Sequence, residues 1–124
     1  MNIDELRQFC LSFPGATEDV KWGNDLTFSV GKKMFAVTGL DAATPSVSVK
    51  CTPEKFAELI ELDGIIPAHY VARYHWVTVE RLDALKTDEL KDLIEKSYEM
   101  VREKLPKKLK EEISRETKHR NSER

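Results

Sequence analysis

The sequence predicts an α+β domain in which an antiparallel sheet of about four to five strands packs against three helices. Residues 26–51 alternate apolar and polar side chains around glycine turns, which is the two-residue period of half-buried strands. Apolar residues near both ends of the chain recur at the spacing of amphipathic helices. Because 124 residues without an internal repeat match the size of one domain, we expect one core that needs no metal or disulfide.

The first helix is predicted to begin after Asn2, a favourable N-cap residue. Glu5 follows three residues later and completes a capping-box pattern. The helix then carries one apolar stripe, formed by Ile3, Leu6, Cys10 and Phe13. Pro14 and Gly15 are expected to end it.

The strands of the predicted sheet follow as an antiparallel meander, with a short additional strand expected around residues 20–22. Gly31 and Lys32 form a predicted hairpin turn, because glycine adopts the positive φ that such a turn needs. Met34 to Val37 form a continuous apolar run in this region. The strand residues on the apolar side of the alternating segments are Leu26, Phe28, Val30, Val47, Val49 and Cys51.

The second half of the chain is predicted to contain two helices and one strand. Thr52 and Pro53 start a helix that Gly64 ends, and residues 76–79 form a strand after a loop. Thr87 is expected to cap the last helix, whose stripe is Leu90, Leu93, Ile94, Ser97, Tyr98, Val101 and Leu105. Pro106 disfavours further helix, although Leu109 and Ile113 are compatible with one more short one.

Composition and charge limit the possible functions. No apolar run approaches the ~20 residues of a membrane span, and the N-terminus lacks the pattern of a signal peptide, so we expect a cytoplasmic protein. Cys10 and Cys51 fall on predicted apolar faces, which indicates buried, reduced thiols. The net charge is −2, but residues 104–124 hold eight lysines and arginines against four acids. This basic end suits either a polyanionic partner or an ordinary solvated tail.

No enzyme template fits the sequence, so we expect a non-catalytic protein without a cofactor. It contains neither a phosphate-binding glycine loop nor a nucleophile elbow. His69 and His75 lie six residues apart, wider than the usual ligand pairs of zinc sites, and we expect no metal there. Acids in the first part of the chain offer an alternative hard-metal site if they converge: Asp4, Glu5, Glu18, Asp19 and Asp25.

Exposed cationic side chains are the main candidates for binding a ligand. Contacts to phosphate need a long side chain with a free charged end, and the residues that fit are Lys32, Lys33, Lys50, Arg73, Lys107 and Lys108. Lys50 lies in mid-strand on the polar face beside Ser46 and Ser48. The alternative is that these are all solvated surface residues.

The dipeptide His75-Trp76 begins a predicted strand, so the two side chains should point to opposite faces. Trp76 is either a core residue or a platform for a stacked base. His75 is expected on the more open face, where it either contacts a ligand or phosphate or makes a structural hydrogen bond.

Motifs along nearly the whole chain, from Ile3 to about Leu109, resemble those of the YjbR/MmcQ family of small bacterial proteins. They are Leu11 to Glu18, Trp22-Gly23, Lys33 to Ala36, Val49 to Glu54, His75-Trp76, Ser97-Tyr98 and Leu105 to Lys108. The resemblance implies a double-wing fold, which has been likened both to a phage transcription-factor DNA-binding domain and to frataxin. It also implies one domain over residues 1–110, followed by a polar, basic tail over residues 111–124.

The loop before His75 departs from the family's common pattern, because Ala72, Arg73 and Tyr74 replace an Asn-Lys-Lys string. A contact made by that string in other members is altered here.

Three functions follow as hypotheses. The leading one is a monomeric, non-catalytic nucleic-acid-binding protein, with DNA as partner, in which the six cationic residues hold phosphates and His75 is a polar reader. The second is a frataxin-like domain that binds a small molecule or metal through the sheet face or residues 68–74. The third is a protein-interaction module with an exposed apolar patch.

Overall fold

The structure is a computed structural model that describes residues 1–41, 43–68 and 74–122, with side chains described as far as residue 115. Its elements in chain order are α1 (Ile3–Leu11), β1 (Ala16–Lys21), β2 (Asp25–Val30), β3 (Lys33–Gly39), β4 (Val47–Lys50), α2 (Pro53–Leu59), β5 (Ile65–Pro67), β6 (Trp76–Val79), α3 (Thr87–Glu103) and α4 (Lys107–Ser122). The predicted α+β class with an antiparallel sheet is confirmed. The sheet has six strands rather than four to five, and the described ranges contain four helices rather than three.

The strands form one sheet in the order β1-β2-β3-β4-β6-β5, and every neighbouring pair is antiparallel. We call β1-β2-β3 the first half-sheet and β4-β6-β5 the second half-sheet. Only two register pairs, Ala36 with Val49 and Val37 with Ser48, join the halves between β3 and β4. By contrast, four pairs join β4 to β6. The sheet is therefore least continuous at its centre.

A β-bulge and one serine account for this short central junction. Phe28 pairs with Ala36 and Ser29 with Met34, so Phe35 is the extra residue of β3. Where Phe35 would next face Lys50, the fully buried Ser97 of α3 intervenes. Its Oγ donates to the Phe35 carbonyl at 2.7 Å and accepts from the Lys50 N–H at 3.0 Å. Helix α3 thus supplies the hydrogen bonds that the two strands do not make with each other.

One face of the sheet forms the core. Its buried strand residues are Leu26, Phe28, Val30, Val47, Val49, Val77 and Val79. Helix α3 packs on them through its predicted stripe, with Leu90 and Ile94 fully buried. Thr27, Ser29, Ser48 and Thr78 occupy the alternate positions of these strands, and Ser48 and Thr78 share a hydrogen bond of 2.7 Å. The predicted half-buried alternation is therefore confirmed for β4. In β2 the apolar residues face the core as predicted, but Thr27 and Ser29 on the other face are buried too.

The helix starts test the capping predictions. The Asn2–Glu5 capping box of α1 forms, and Thr52 caps α2 with Pro53 in its first turn, as predicted. The prediction for α3 was wrong, because Lys86 occupies its N-cap position without a side-chain hydrogen bond. Thr87 is instead the first helical residue. Helix propensity and the buried stripe evidently stabilise α3 enough without a side-chain cap.

Several elements exceed the sequence predictions. Strand β1 covers Ala16–Lys21 rather than residues 20–22, and Ile65–Pro67, for which no strand was predicted, form an edge strand. Helix α4 is 16 residues long. Ile113 anchors it, because this side chain is buried and its Cγ1 lies 3.0 Å from where a Cβ on Gly15 would be. The boundary at residue 110 between domain and tail stays a prediction, and α4 runs across it.

No helix within the described ranges is both long enough and apolar enough to cross a bilayer.

Candidate functional site

The tip of the β2–β3 hairpin presents two of the predicted cationic residues. Gly31 and Lys32 have φ values of +57° and +68°, the left-handed pair of a type I′ turn, which matches the twist of the flanking strands. Val30 and Lys33 close the turn as a register pair. Lys32 and Lys33 are both exposed, so their ammonium groups project into solvent. The predicted hairpin turn is therefore confirmed.

This turn packs against the end of α3. A Cβ added to Gly31 would lie 2.6 Å from Leu105 Cδ2, so the backbone of the turn is in direct contact with the buried Leu105 side chain. Leu105 and Pro106 form the short connection between α3 and α4. The contact brings the hairpin lysines to the same end of the molecule as the exposed residues Lys104, Lys107 and Lys108.

Lys50 joins this group from the last position of β4. The Lys50 side chain is half-buried. Burial is the main cause that lowers the pKa of Lys50, and the nearby ammonium group of Lys104 lowers it further. Two like charges therefore lie close together, one of them partly removed from water. We call this set of six residues the lysine end: Lys32, Lys33, Lys50, Lys104, Lys107 and Lys108.

Among the described residues, none of the six lysines of the lysine end forms an ion pair with an acid. The ion pairs of the described residues involve other cations, namely Arg7, Lys55, Arg81, Lys96 and Lys110. The arrangement leaves a local positive field on a chain whose net charge is −2. Such a field attracts anions, and the close ammonium pair favours a ligand with phosphate-like charge density.

His75 directly precedes Trp76, the register partner of Lys50, but its side chain has a different environment from that of Lys50. Its backbone is left-handed at φ +63°, and its carbonyl accepts from the Cys51 N–H at 2.9 Å and from Cys51 Sγ at 3.3 Å. Its half-buried ring meets the Phe56 ring edge-on at 5.6 Å. The structure thus gives the His75 ring a packing contact with α2, which is neither the ligand contact nor the side-chain hydrogen bond considered from the sequence.

The solvent exposure of Trp76 distinguishes between its two possible roles, a core residue and a platform for a stacked base. Trp76 pairs with Lys50 across β4 and β6, but it is only 8% exposed, which supports the core interpretation over base stacking. The exposed tryptophan is Trp22, at 69%, in the β1–β2 turn. Sequence reasoning placed Trp22 in a strand.

Of the predicted cationic residues, the structure brings together Lys32, Lys33, Lys50, Lys107 and Lys108. Arg73 lies outside the described residues. Lys104 was counted from the sequence only as part of the basic end of the chain and was not named as a phosphate contact. The signal that indicates it is the Leu-Pro pair directly after it, which ends the helix and places Lys104 at the junction before Lys107 and Lys108.

The acidic residues of the first part of the chain do not form a comparable site. Glu5 caps α1, and the carboxylate of Glu18 is bound by the Arg7 guanidinium, which lowers the pKa of Glu18. Within the described ranges, no group of three or more histidine, cysteine, aspartate or glutamate residues is arranged to hold a metal ion. Cys10 and Cys51 are free and buried, and burial raises the pKa of their thiols to about 12 and about 11.

Comparison with known proteins relates this chain to one family. Residues 11–100 match the family model described as YjbR. The uncharacterized protein YjbR of Escherichia coli strain K12 is 32% identical over 111 residues, which cover 86% of this chain and 92% of that protein. The corresponding protein of Escherichia coli O157:H7 matches to the same extent.

Two solved structures share the architecture. Deinococcus radiodurans protein DR2400, of the domain family DUF419, superposes with a TM-score of 0.83 at 30% identity, covering 91% of this chain and 88% of that one. A protein from Pseudomonas syringae superposes with a TM-score of 0.68 at 23% identity, covering 82% and 99%. The second similarity concerns the fold alone. The resemblance stated from the sequence motifs is confirmed.

Proposed function

The chain belongs to the YjbR family, and from this premise and the geometry of the lysine end we propose that it is a non-catalytic nucleic-acid-binding protein whose partner is DNA. The supporting observation is the grouping of six lysines, none of them in an ion pair among the described residues, where the β2–β3 turn packs on Leu105. Within this group Lys50 lies beside Lys104. Two ammonium groups held close together, one of them half-buried, destabilise the folded protein unless an anion binds between them. An arrangement that is unfavourable for folding is typical of a binding site.

The shape of the lysine end suits a chain of phosphates better than a single one. Lys32 and Lys33 come from a hairpin tip, Lys50 from the end of a strand, and the other three from the junction of α3 and α4. A row of separate point charges matches the repeated charge of a phosphodiester backbone. Such contacts fix position and give affinity without reading base sequence. Arg73 and His75 stay proposed contacts of the same partner, because they precede Trp76, which pairs with Lys50.

The test is a salt-titrated binding measurement on the full chain. Labelled duplex and single-stranded DNA are titrated by fluorescence anisotropy at salt concentrations from about 50 to about 300 mM. We expect a micromolar or lower Kd, and a slope of log K against log salt of about −4 to −5 on duplex, as for about five released counterions. We expect at least a tenfold loss of affinity in the quadruple variant Lys33→Ala, Lys50→Ala, Lys104→Ala and Lys108→Ala.

A charge-matched variant separates a site from general attraction. It removes four exposed lysines elsewhere on the chain: Lys55→Ala, Lys86→Ala, Lys91→Ala and Lys96→Ala. This control should bind within about threefold of the wild type, because surface charges farther than a Debye length from the bound DNA are screened. Absence of binding at the lowest salt, or equal losses in both variants, would show the proposal to be wrong.

A further inference from the structure

A second surface lies between α2 and α3, and it contains none of the residues of the lysine end. The two helices border a groove of about 810 Å³ whose floor is apolar, formed by Leu59, Leu62, Leu85, Leu93 and Met100. Leu62 is 44% exposed, so part of this apolar floor is open to solvent. We call this surface the helix groove.

The helix groove is long. Residues of α3 line it at successive turns from Asp88 to Glu103. Fifteen residues at the rise of an α-helix correspond to about 22 Å. A compact small molecule would fill only part of that length, whereas an α-helix of about 15 residues would lie along all of it.

Acidic residues form the rim of the groove. Six carboxylates line it against two lysines, Lys55 and Lys96. Both lysines are already paired within the rim, with Glu58 at 3.3 Å and with Glu99 at 4.0 Å. Asp88, Glu89 and Asp92 make no ion pair among the described residues. The groove therefore offers unneutralised negative charge along its α3 side, beside an apolar floor.

We propose that the helix groove binds an amphipathic helix of a partner protein, one that presents lysine or arginine along the side of its apolar stripe that faces α3. The stripe covers Leu62 and Met100, and the flanking cations meet the rim. Apolar contact supplies most of the affinity in such helix-in-groove complexes, and charge complementarity sets the orientation and excludes acidic helices. A nucleic acid is repelled from this surface by the same carboxylates.

The probe is a labelled helical peptide of about 15 residues with leucine at positions i, i+3, i+4, i+7 and their continuation, and lysine elsewhere. Its binding to the full chain is followed by fluorescence anisotropy at near-physiological salt. We expect a Kd in the micromolar range. A second peptide of the same composition in scrambled order should bind at least tenfold more weakly, because it forms no apolar stripe.

Two variants of the protein test the two parts of the surface. Asp92→Lys with Glu99→Lys reverses charge on the rim, and Leu62→Ser removes exposed apolar area. All three positions are exposed, so the fold should persist, which circular dichroism and the urea midpoint verify. We expect at least a tenfold loss of peptide affinity in the first and at least a fivefold loss in the second.

The matched control is Glu80→Lys with Glu95→Lys, which adds the same charge at exposed sites outside the groove. It should bind the peptide within twofold of the wild type. Equal binding of the scrambled peptide, equal losses in control and rim variant, or no binding of the amphipathic peptide would each overturn the proposal. Loss of DNA binding alone would leave it intact, since the lysine end takes no part in it.

Discussion

The hydroxyl of Ser97 joins three elements of the fold at one buried point. It donates to the bulged Phe35 of β3 and accepts from Lys50 of β4 while belonging to α3. A buried N–H and a buried C=O depend on this one oxygen, so its contribution exceeds that of an ordinary surface hydrogen bond. The same contact fixes the backbone from which the Lys50 side chain reaches the lysine end.

Replacing Ser97 by alanine should therefore lower the free energy of unfolding by about 1–3 kcal/mol, because both backbone partners lose their hydrogen bond in a dry environment. Urea titration followed by circular dichroism measures this change. Ser114→Ala is the control, since the Ser114 hydroxyl bonds to Arg102 at the exposed surface. It should change stability by less than about 0.5 kcal/mol. Similar values for both variants would contradict the bridging role of Ser97.

Lys50 illustrates the opposite case, a residue whose charge opposes folding. Burial and Lys104 lower its pKa in the folded protein. Below this lowered pKa the lysine is charged in both states, and the folded state is penalised in full. As pH rises through the folded-state pKa, the folded protein loses the proton before the unfolded chain does, so the free energy of unfolding increases.

Lys50→Met keeps an unbranched side chain, one atom shorter than that of lysine, and removes the charge. We expect it to be more stable than the wild type at neutral pH, by less than about 1 kcal/mol because solvent screens the site. The gain in stability of the wild type on the alkaline side should be smaller in the variant. Urea midpoints at pH 7 and near pH 10 measure both effects. A variant less stable than the wild type at pH 7 would contradict the proposed repulsion.

Among the elements, the β2–β3 hairpin and the α3–α4 junction depend on each other. The turn can approach Leu105 only because residue 31 has no side chain, and Leu105 stays buried only because the turn covers it. This contact, between residues 74 positions apart, brings the lysine end together.

Glycine substitutions in two turns separate backbone strain from this packing. Gly23→Ala, at φ +88° with no atom within 4 Å of the new Cβ, should cost only the left-handed strain of about 1–2 kcal/mol. Gly31→Ala adds the overlap with Leu105 and should lower stability by a further 1–3 kcal/mol, roughly the cost of overpacking a core. We also expect weaker DNA binding in Gly31→Ala alone. Urea titration and anisotropy compare the two, and equal stability losses would exclude the packing contact.

At the scale of the whole molecule, charge is segregated rather than balanced locally. The chain has 20 lysines and arginines and 22 acids, yet six lysines meet at the lysine end and six carboxylates line the helix groove. Overall charge therefore says little about either surface. A domain with this charge distribution can bind an anionic partner at one surface and a cationic partner at the other.

This segregation predicts a salt-dependent coupling between the surfaces. Asp92→Lys with Glu99→Lys changes the net charge from −2 to +2, since each reversal adds two units. At about 10 mM salt, where the Debye length is about 30 Å, the variant should bind duplex DNA several-fold more tightly than the wild type. Near 0.15 M salt the difference should fall below about twofold, because the Debye length is then about 8 Å. A several-fold difference that persists at 0.15 M salt would place the rim and the lysine end in one site.

Local patterns in the sequence determined the elements and the core. The alternation of β4, the Asn2 capping box and the stripe of α3 depend on neighbours in the chain, and each forms as predicted. Strand β1 and the edge strand β5 were underestimated because their exposed residues carry weak periodicity. Lys86 at the start of α3 shows that a buried stripe can replace a side-chain cap.

The candidate sites depended on tertiary structure more than the secondary-structure elements and the core did. The sequence marked five of the six lysines one by one as phosphate contacts, and only the packing of Gly31 on Leu105 brought them together with Lys104. The helix groove was not predicted, because it arises from the separation between α2 and α3. Periodicity along a chain specifies which face of an element is apolar. It does not specify how far apart two elements lie, and that distance decides which charges meet and which apolar face stays open.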